Sequence, residues 1–117
     1  NANLKIAILE RGKDVLQKVK VSGGGRCNVT HACFDPKELT QYYPRGEKEL
    51  LGPFHQFCCG DTFAWFDELG ITLKIEEDGR VFPSTDSSQT IIDCFLKEVK
   101  KYNIQVLNNH VEHREHL

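Results

Sequence analysis

Three consecutive glycines, Gly23-Gly24-Gly25, constrain this chain more than any other feature of its sequence. Because glycine has no Cβ atom, such a run takes positive φ angles and lets the backbone approach a flat or charged ligand closely. Successive N–H groups in a turn of this kind can point one way and form a concavity that accepts an anion. Arg26 adds a planar cation and Asn28 adds an amide that both donates and accepts hydrogen bonds. A flexible glycine turn beside a solvated arginine is the alternative interpretation.

Length and charge restrict the classes of protein to which this chain can belong. Its 117 residues suit one small domain. The formal net charge is -2, and the scattered arginines form no basic patch for nucleic acid. No apolar run approaches the roughly 20 residues that a membrane span needs, and no signal-peptide pattern opens the chain. We therefore expect a cytoplasmic protein with no nucleic-acid and no membrane partner.

Five cysteines without regular spacing argue against a disulfide framework. No Cys-x-x-Cys motif occurs, and Cys58 and Cys59 are adjacent, which is poor geometry for a zinc site. We therefore expect no metal. The alternative is a small metal-binding domain that uses these two cysteines with histidines, of which the candidates are His55, His110, His113 and His116.

Two short apolar segments predict a parallel pair of strands. Residues 4–9 have the composition of a buried strand that ends at Glu10, and residues 104–107 that of a final strand preceded by a helix. This order is typical of a βαβ crossover, so we predict that the two strands are parallel neighbours. In dinucleotide-binding folds an acid at a strand end hydrogen-bonds the ribose, and Glu10 holds that position. The glycine fingerprint that belongs about 20 residues before such an acid is not in this chain.

The segment between these strands contains two predicted helices and a hairpin. Residues 61–69 form an apolar stripe capped by Asp61, and a second helix begins at Asp86 and ends near Asn103. A hairpin joins residues 71–75 to 80–83 through Asp78-Gly79. Residues 14–21 are predicted as a loop leading into an extended segment, and residues 31–52 as turns with one helical turn around 36–41.

Apolar periodicity predicts which side chains form the core. Trp65 is expected to be buried beside the stripe of the first helix. The ten residues with the strongest pattern are Ile6, Ile8, Phe63, Phe66, Leu69, Leu73, Ile92, Phe95, Leu96 and Val99.

Four segments in this order strongly resemble the HI0933-like (aminoacetone oxidase-like) family of NAD(P)/FAD-dependent oxidoreductases. They are VSGGGRCNVT at 21–30, YPRG at 43–46, WFDELGI at 65–71 and EEDGRVFP at 76–83. The resemblance implies an α/β fold: a partial Rossmann-like, glutathione-reductase-type FAD-binding domain. A helix-hairpin-helix excursion would separate its two parallel strands. Residues 1–117 would form one partial FAD-binding domain, with 108–117 a frayed tail.

The resemblance also implies which residues contact the cofactor. Glu10 would hold the adenosine ribose, and the loop that follows Lys20 would lie beside the flavin. The residues implied there are Ser22, Gly23, Gly24, Gly25, Arg26 and Asn28. Cys27 is expected to be a small filler, His31 stands where many relatives have Asn, and residues 43–46 and 80–83 carry a weaker implication.

The function implied is that of a fragment of a flavoprotein oxidoreductase. The parent would bind FAD and transfer hydride between a small organic substrate and FAD, with either oxygen or a nicotinamide, NAD(P), as the second substrate. The alternatives are a non-enzymatic phosphate- or nucleotide-binding module and the metal-binding domain described above. Without the glycine fingerprint, we expect the chain alone to bind FAD weakly or not at all. We also expect it either to self-associate through the exposed edge of strand 4–9 or to be loosely folded.

Overall fold

The computed structural model describes residues 4–111 and contains five strands and five helices within that range. The strands are β1 (Ala7–Leu9), β2 (Thr30–His31), β3 (Leu73–Ile75), β4 (Arg80–Pro83) and β5 (Gln105–Leu107). The helices are α1 (Gln17–Gly25), α2 (Pro36–Thr40), α3 (Glu47–Gln56), α4 (Cys59–Glu68) and α5 (Ser88–Lys101).

β1 and β5 pair in parallel, as the crossover pattern predicted. Ile8 lies opposite Val106, and the pairing continues past the strand ends through Gln105 N–H to Ile6 O at 3.0 Å and Glu10 N–H to Leu107 O at 2.9 Å. Both strands are shorter than the segments predicted from sequence. Almost the whole described chain is therefore an excursion between two parallel neighbours.

The excursion carries a second sheet in the order β2-β4-β3, antiparallel throughout. The predicted hairpin is confirmed, and Gly79 in its turn has a φ of 90°. A Cβ atom at Gly79 would lie 2.5 Å from His31 Nε2, so glycine is also needed there because β2 packs against the turn. The sequence pattern missed β2, which has only two residues.

The two predicted long helices are confirmed with corrected caps. Cys58, not Asp61, is the N-cap of α4, and the Asp61 carboxylate accepts the Cys58 N–H at 2.8 Å from the third helical position. Ser87, not Asp86, caps α5 by accepting the Gln89 N–H at 3.3 Å. In α4 the predicted Asp61 side chain still caps the helix from inside its first turn, and in α5 the capping side chain lies one position after the predicted one.

Two helices were not predicted. α1 replaces the predicted loop and extended segment, and its regular turns stop at Ser22, where ψ is 151°. Its helical part packs against α5, and Lys20 O accepts the buried Ser88 hydroxyl at 2.8 Å. α3 contains Pro53 after Gly52, residues that from sequence indicate a turn. Tertiary packing outweighs these weak local preferences. α2 confirms the helical turn expected around residues 36–41.

The core lies between α4, α5 and the antiparallel sheet. Phe66, Ile91, Cys27 and Cys94 form its central cluster, and Val81 and Phe82 of β4 are fully buried. Of the ten predicted core residues, Phe66 and Ile92 are buried, while the half-buried ones are Phe63, Leu69, Leu73, Phe95 and Val99.

The prediction was wrong for the three exposed ones, Ile6, Ile8 and Leu96, which expose 48, 39 and 39% of their surface. Trp65, also predicted to be buried, is 36% exposed. Ile6 and Ile8 are exposed because, among the described residues, β1 packs mainly on β5 and the faces of this two-stranded sheet are poorly covered.

The two ends of the described chain meet beyond β1 and β5. Asn109 N–H donates to Gly12 O and His110 N–H to Glu10 O, both at 2.8 Å. The rest of the tail expected to be frayed, from residue 112 on, lies outside the described residues. Within residues 4–111, no helix combines the length and apolarity that crossing a membrane requires.

Candidate functional site

The glycine loop, defined here as Ser22–Asn28, connects α1 to the segment that leads into β2. Gly23, Gly24 and Gly25 have φ angles of 57°, 68° and 90°, which confirms the positive φ expected of the run. L-residues with a Cβ atom rarely adopt such angles, so a substitution at any of the three strains the backbone.

The three glycines have different surroundings. A Cβ at Gly23 would lie 2.7 Å from Asn28 N and 2.9 Å from Phe82 Cε1, so this glycine lets the loop fold back onto β4. At Gly24 and Gly25 a Cβ would meet no heavy atom of residues 4–111 within 4 Å. The protein therefore packs against the first glycine and leaves the backbone of the other two open.

The loop is closed by its own hydrogen bonds. Cys27 N–H donates to Ser22 O at 3.0 Å, and the Ser22 hydroxyl donates to Val19 O at 2.7 Å. Val29 N–H then donates to Val81 O at 2.8 Å, which attaches the end of the loop to β4. The open glycines are thus held between two anchored ends.

Arg26 binds the loop to the hairpin. Its guanidinium lies over the Phe82 ring, 3.7 Å from the centroid, and Nη1 lies 2.6 Å from Glu76 Oε1 and 3.2 Å from Asp86 Oδ1. Lys74 Nζ contacts the other oxygen of Asp86 at 2.6 Å. Two cations and two carboxylates therefore form one network, which we call the Arg26 network, across three parts of the chain.

The network shifts the pKa of its members in the directions that ion pairing requires. Hydrogen bonds from Lys74 and then Arg26 hold the pKa of the Asp86 carboxyl below its ordinary value. Hydrogen bonds to Glu76 and then Asp86 raise the pKa of Arg26. Asp86 also has a positive φ of 58°, a strained conformation for a residue with a Cβ atom, next to the start of α5.

Asn28 and Cys27 are neighbours in the loop but differ in burial: Asn28 is exposed and Cys27 is buried. Asn28 is exposed, and with its amide nitrogen turned toward the backbone it donates to Thr30 O at 2.9 Å and Val81 O at 3.3 Å. Cys27 is 7% exposed within the core cluster, and burial raises the pKa of its thiol. This agrees with the expectation that Cys27 is a filler.

Glu10 lies apart from the glycine loop, at the other end of α1. Its carboxylate accepts the Gly12 N–H at 2.8 Å, as a residue at the end of β1 can. It lines an open groove of about 520 Å³ with residues 8–9 and 12–19. The structure thus brings Ser22–Asn28 together as one surface and places Glu10 on a second one.

The segments with weaker implications have clear packing roles. The His31 ring stacks on Tyr42 with centroids 3.9 Å apart, and Tyr43 packs on Phe54 at 5.5 Å. Residues 43–46 form the turn between α2 and α3, and residues 80–83 form the central strand β4. Among the described residues, no group of three or more His, Cys, Asp or Glu side chains is arranged to hold a metal.

Sequence reasoning missed the residues that hold Arg26. Glu76 and Phe82 belong to a segment that the resemblance included, but only Phe82 was implied in the site, and weakly. Asp86 was interpreted as a helix cap. These positions lie 50, 56 and 60 residues after Arg26 in sequence, so no local spacing could have linked them to it.

The chain is similar to known proteins over most of its length. The family model described as HI0933-like protein Rossmann domain matches residues 1–115. The 3-dehydro-bile acid delta(4,6)-reductase of Clostridium scindens is 24% identical over 91% of this chain and 25% of its own length. The ribosomal RNA dihydrouridine synthases of Escherichia coli and Haemophilus influenzae are 30 and 26% identical over 88 and 87% of this chain.

This chain spans about a quarter of the length of these relatives. The family match covers nearly the whole sequence, and the parallel pair β1–β5 with its helices agrees with part of a Rossmann fold. The chain belongs to the HI0933-like Rossmann domain family.

Proposed function

We propose that the parent of this chain is a flavin-dependent reductase whose glycine loop lies beside the flavin of FAD. The observation that carries the proposal is the open backbone at Gly24 and Gly25, where positive φ angles and not packing require glycine. Such a surface lets a flat ring approach the main chain without meeting side chains.

The residues present fit this cofactor. The loop would contact the flavin through Ser22–Asn28, and Glu10 would accept hydrogen bonds from the ribose hydroxyls. Bound FAD would supply the hydride chemistry, while the protein binds and orients it. NAD(P)H is the proposed reductant, a small organic molecule the proposed substrate and the cytoplasm the proposed compartment. The last suits five cysteines that are all free thiols.

The charges around Arg26 support a flavin ring rather than a phosphate at this loop. The alternative function is a non-enzymatic module whose glycine loop holds an anion. However, Glu76 and Asp86 already lie 2.6 and 3.2 Å from the Arg26 guanidinium and offset its charge. A phosphate would have to displace a carboxylate, whereas a neutral ring over Gly24 and Gly25 would not. The structure therefore favours the flavin.

The names of the relatives suggest the direction of the reaction. One relative is named as a reductase of an unsaturated bile acid, and two are named for making dihydrouridine in ribosomal RNA. Both names describe the addition of hydrogen to a carbon–carbon double bond. We propose the same reaction class for the parent, with hydride passing from the reduced flavin to the substrate. The absence of a nucleic-acid partner, expected from the charge, stays a prediction.

Flavin content of the purified full-length parent tests the cofactor. Gly24→Ala forces a Cβ onto a residue with φ of 68° in open space, whereas Gly52→Ala places one in equally open space inside α3 without a positive φ. We expect Gly24→Ala to lower flavin occupancy at least severalfold and Gly52→Ala to leave it unchanged. Equal occupancy in both variants would exclude the glycine loop as the flavin contact.

A substrate assay tests the reaction separately. The parent is supplied with NADH or NADPH under anaerobic conditions together with an unsaturated 3-oxo bile acid or a uridine-containing ribosomal RNA fragment. Saturation of the double bond in the bile acid supports the proposal. Saturation in the RNA supports the reaction class but contradicts the small organic substrate and the predicted absence of a nucleic-acid partner. A flavin-loaded parent that reduces neither the bile acid nor the RNA would contradict the proposed reaction class. Only the proposal of flavin binding would then remain.

A further inference from the structure

Three cysteines converge on one turn outside the glycine loop. Cys58 Sγ lies 3.9 Å from Cys33 O and 4.0 Å from Phe34 O. Cys59, the next residue, is 1% exposed, and burial raises the pKa of its thiol. Cys33 Sγ itself lies 3.9 Å from Asp35 O. Cys58 and Cys59 follow Cys33 by 25 and 26 positions in sequence, yet they lie beside the same turn as Cys33. We call Cys33, Cys58 and Cys59 the thiol cluster.

The fold holds this cluster in place from both sides. Phe34 packs on the first turn of α4, since a Cβ at Gly60 would lie 3.6 Å from Phe34 Cδ1. Its ring lies 6.2 Å from that of Phe63. The Asp35 side chain caps α2 by accepting the Glu38 N–H at 3.1 Å. The two thiol-bearing segments are therefore each fixed by the start of a helix and packed against one another.

Accessibility separates two of the cysteines from the other three. Cys33 and Cys58 are half-buried, whereas Cys27, Cys59 and Cys94 expose 7, 1 and 7% of their surface. A small oxidant therefore reaches Cys33 and Cys58 first. A Cys58–Cys59 bridge is disfavoured, because consecutive Cα atoms are about 3.8 Å apart and disulfides usually need about 4.4–6.8 Å.

We propose that Cys33 and Cys58 form a reversible oxidation site that a peroxide converts into an intramolecular disulfide. One thiolate attacks the peroxide, so that an S–O bond forms, the O–O bond breaks and hydroxide leaves. The second thiolate attacks that sulfur, the S–S bond forms and the S–O bond breaks, releasing a second hydroxide. With the two thiol protons, the products are one disulfide and two waters, and the thiols lose two electrons. A dithiol reverses the step by exchange.

The disulfide would enclose α2 and α3 in a covalent loop. These helices pack mainly on each other, and the loop would join the turn before α2 to the start of α4. Closing a loop of this size restricts the unfolded chain and stabilises the folded one. The thiol cluster does not involve the flavin, so this proposal does not depend on the proposed function.

The test uses the 117-residue chain with hydrogen peroxide as the oxidant. Free thiols are alkylated after treatment, and the non-reduced tryptic digest is analysed by mass spectrometry. We expect a peptide containing Cys33 linked to one containing Cys58, and a rise in the melting temperature that dithiothreitol reverses. Cys33→Ser and Cys58→Ser should each lose both effects, and Cys94→Ser, a buried thiol on α5, should keep both.

Three results would overturn the proposal. They are a link that survives Cys58→Ser, links only between separate chains, and oxidation of single cysteines without any bridge. One tryptic peptide carries Cys27 with Cys33 and another carries Cys58 with Cys59. Fragment-ion sequencing of the linked peptides from the unsubstituted chain therefore assigns the bridge even where a serine variant does not fold.

Discussion

Arg26 lies between the loop proposed to meet the flavin and the hairpin that supports it. Because it lies in a glycine loop with little apolar sequence around it, the sequence predicts that Arg26 acts on cofactor affinity rather than on folding. The structure does not agree with the premise, because the guanidinium stacks on Phe82 and pairs with Glu76 and Asp86. Arg26 therefore contributes to folding, whatever it contributes to the cofactor.

Substituting Arg26 should lower stability, contrary to what its sequence context predicted. Arg26→Ala removes the cation from the Phe82 face and leaves two neighbouring carboxylates without it. We expect the melting temperature to fall by a few degrees, and Arg26→Lys to recover only part of the loss because a lysine lacks the planar fork. Arg11→Ala, which removes an exposed arginine that forms no ion pair among the described residues, is the control and should melt close to the unsubstituted chain. Equal melting of all four proteins would show that the network has no net effect.

The ionised Asp86 carboxylate contributes to the free energy of unfolding, and this contribution is lost at acid pH. Its folded pKa lies below the unfolded value, so the unfolded state binds more protons between the two values. Its contribution is complete above the ordinary aspartate pKa of about 3.9 and is lost as the pH falls through the lowered folded value. Melting curves of the chain and of Asp86→Asn should differ by a constant amount at neutral pH and converge below about pH 4. A difference that persists unchanged at low pH would contradict the ion pairing.

At the scale of elements, α5 shows how periodicity finds a helix without finding its exact buried face. The pattern located the helix and its end near Asn103, which has a φ of 57°. Ile91 is 1% exposed, while Leu96, predicted to be buried, is 39% exposed. The face that α5 buries is determined by where α1, α4 and β4 lie.

Two alanine substitutions on α5 compare the contributions of its buried and exposed faces to the free energy of unfolding. Ile91→Ala should cost about 2–5 kcal/mol, because it opens a cavity in a closed core. Leu96→Ala removes a side chain that is already partly in water and should cost clearly less. Chemical denaturation of both variants, compared at equal denaturant dependence, gives the two free energies of unfolding. Equal losses would mean that the exposed side of α5 is covered in solution.

At the scale of the whole molecule, β1 presents apolar side chains without cover. Leu4, Ile6, Ile8 and Leu9 expose between 39 and 62% of their surface. An apolar groove of about 510 Å³ lies beside them, lined in part by Ile8, Trp65 and Leu96. Strands of a parallel sheet are normally covered on both faces.

We therefore expect the isolated 117-residue chain to self-associate through β1. Ile6→Lys should shift it toward the monomer, because a charge on an edge strand opposes pairing with another chain. Val21→Lys is the matched control, since Val21 is an exposed apolar residue outside β1. Light scattering after size exclusion gives the mass of each variant. A monomeric unsubstituted chain, or identical masses for both variants, would contradict association at this edge.

Some features of this protein follow from local sequence. Positive φ at Gly23–Gly25, the hairpin at Asp78-Gly79 and the two amphipathic helices depend on residues that are neighbours in the chain. The parallel pairing of β1 with β5 was also predictable, because the chirality of crossovers leaves few alternatives. Local patterns of this kind, together with the chirality rule, can be recognised in one sequence.

Tertiary structure alone decided the rest. Whether Arg26 is free or paired depends on Glu76 and Asp86, and the helical state of residues 17–21 depends on contact with α5. The grouping of Cys33 with Cys58 depends on Phe34 packing against α4. These contacts join residues about 25 to 70 positions apart in sequence, and long-range packing energies override weak local propensities. Only the folded chain brings such partners within a few ångströms of one another.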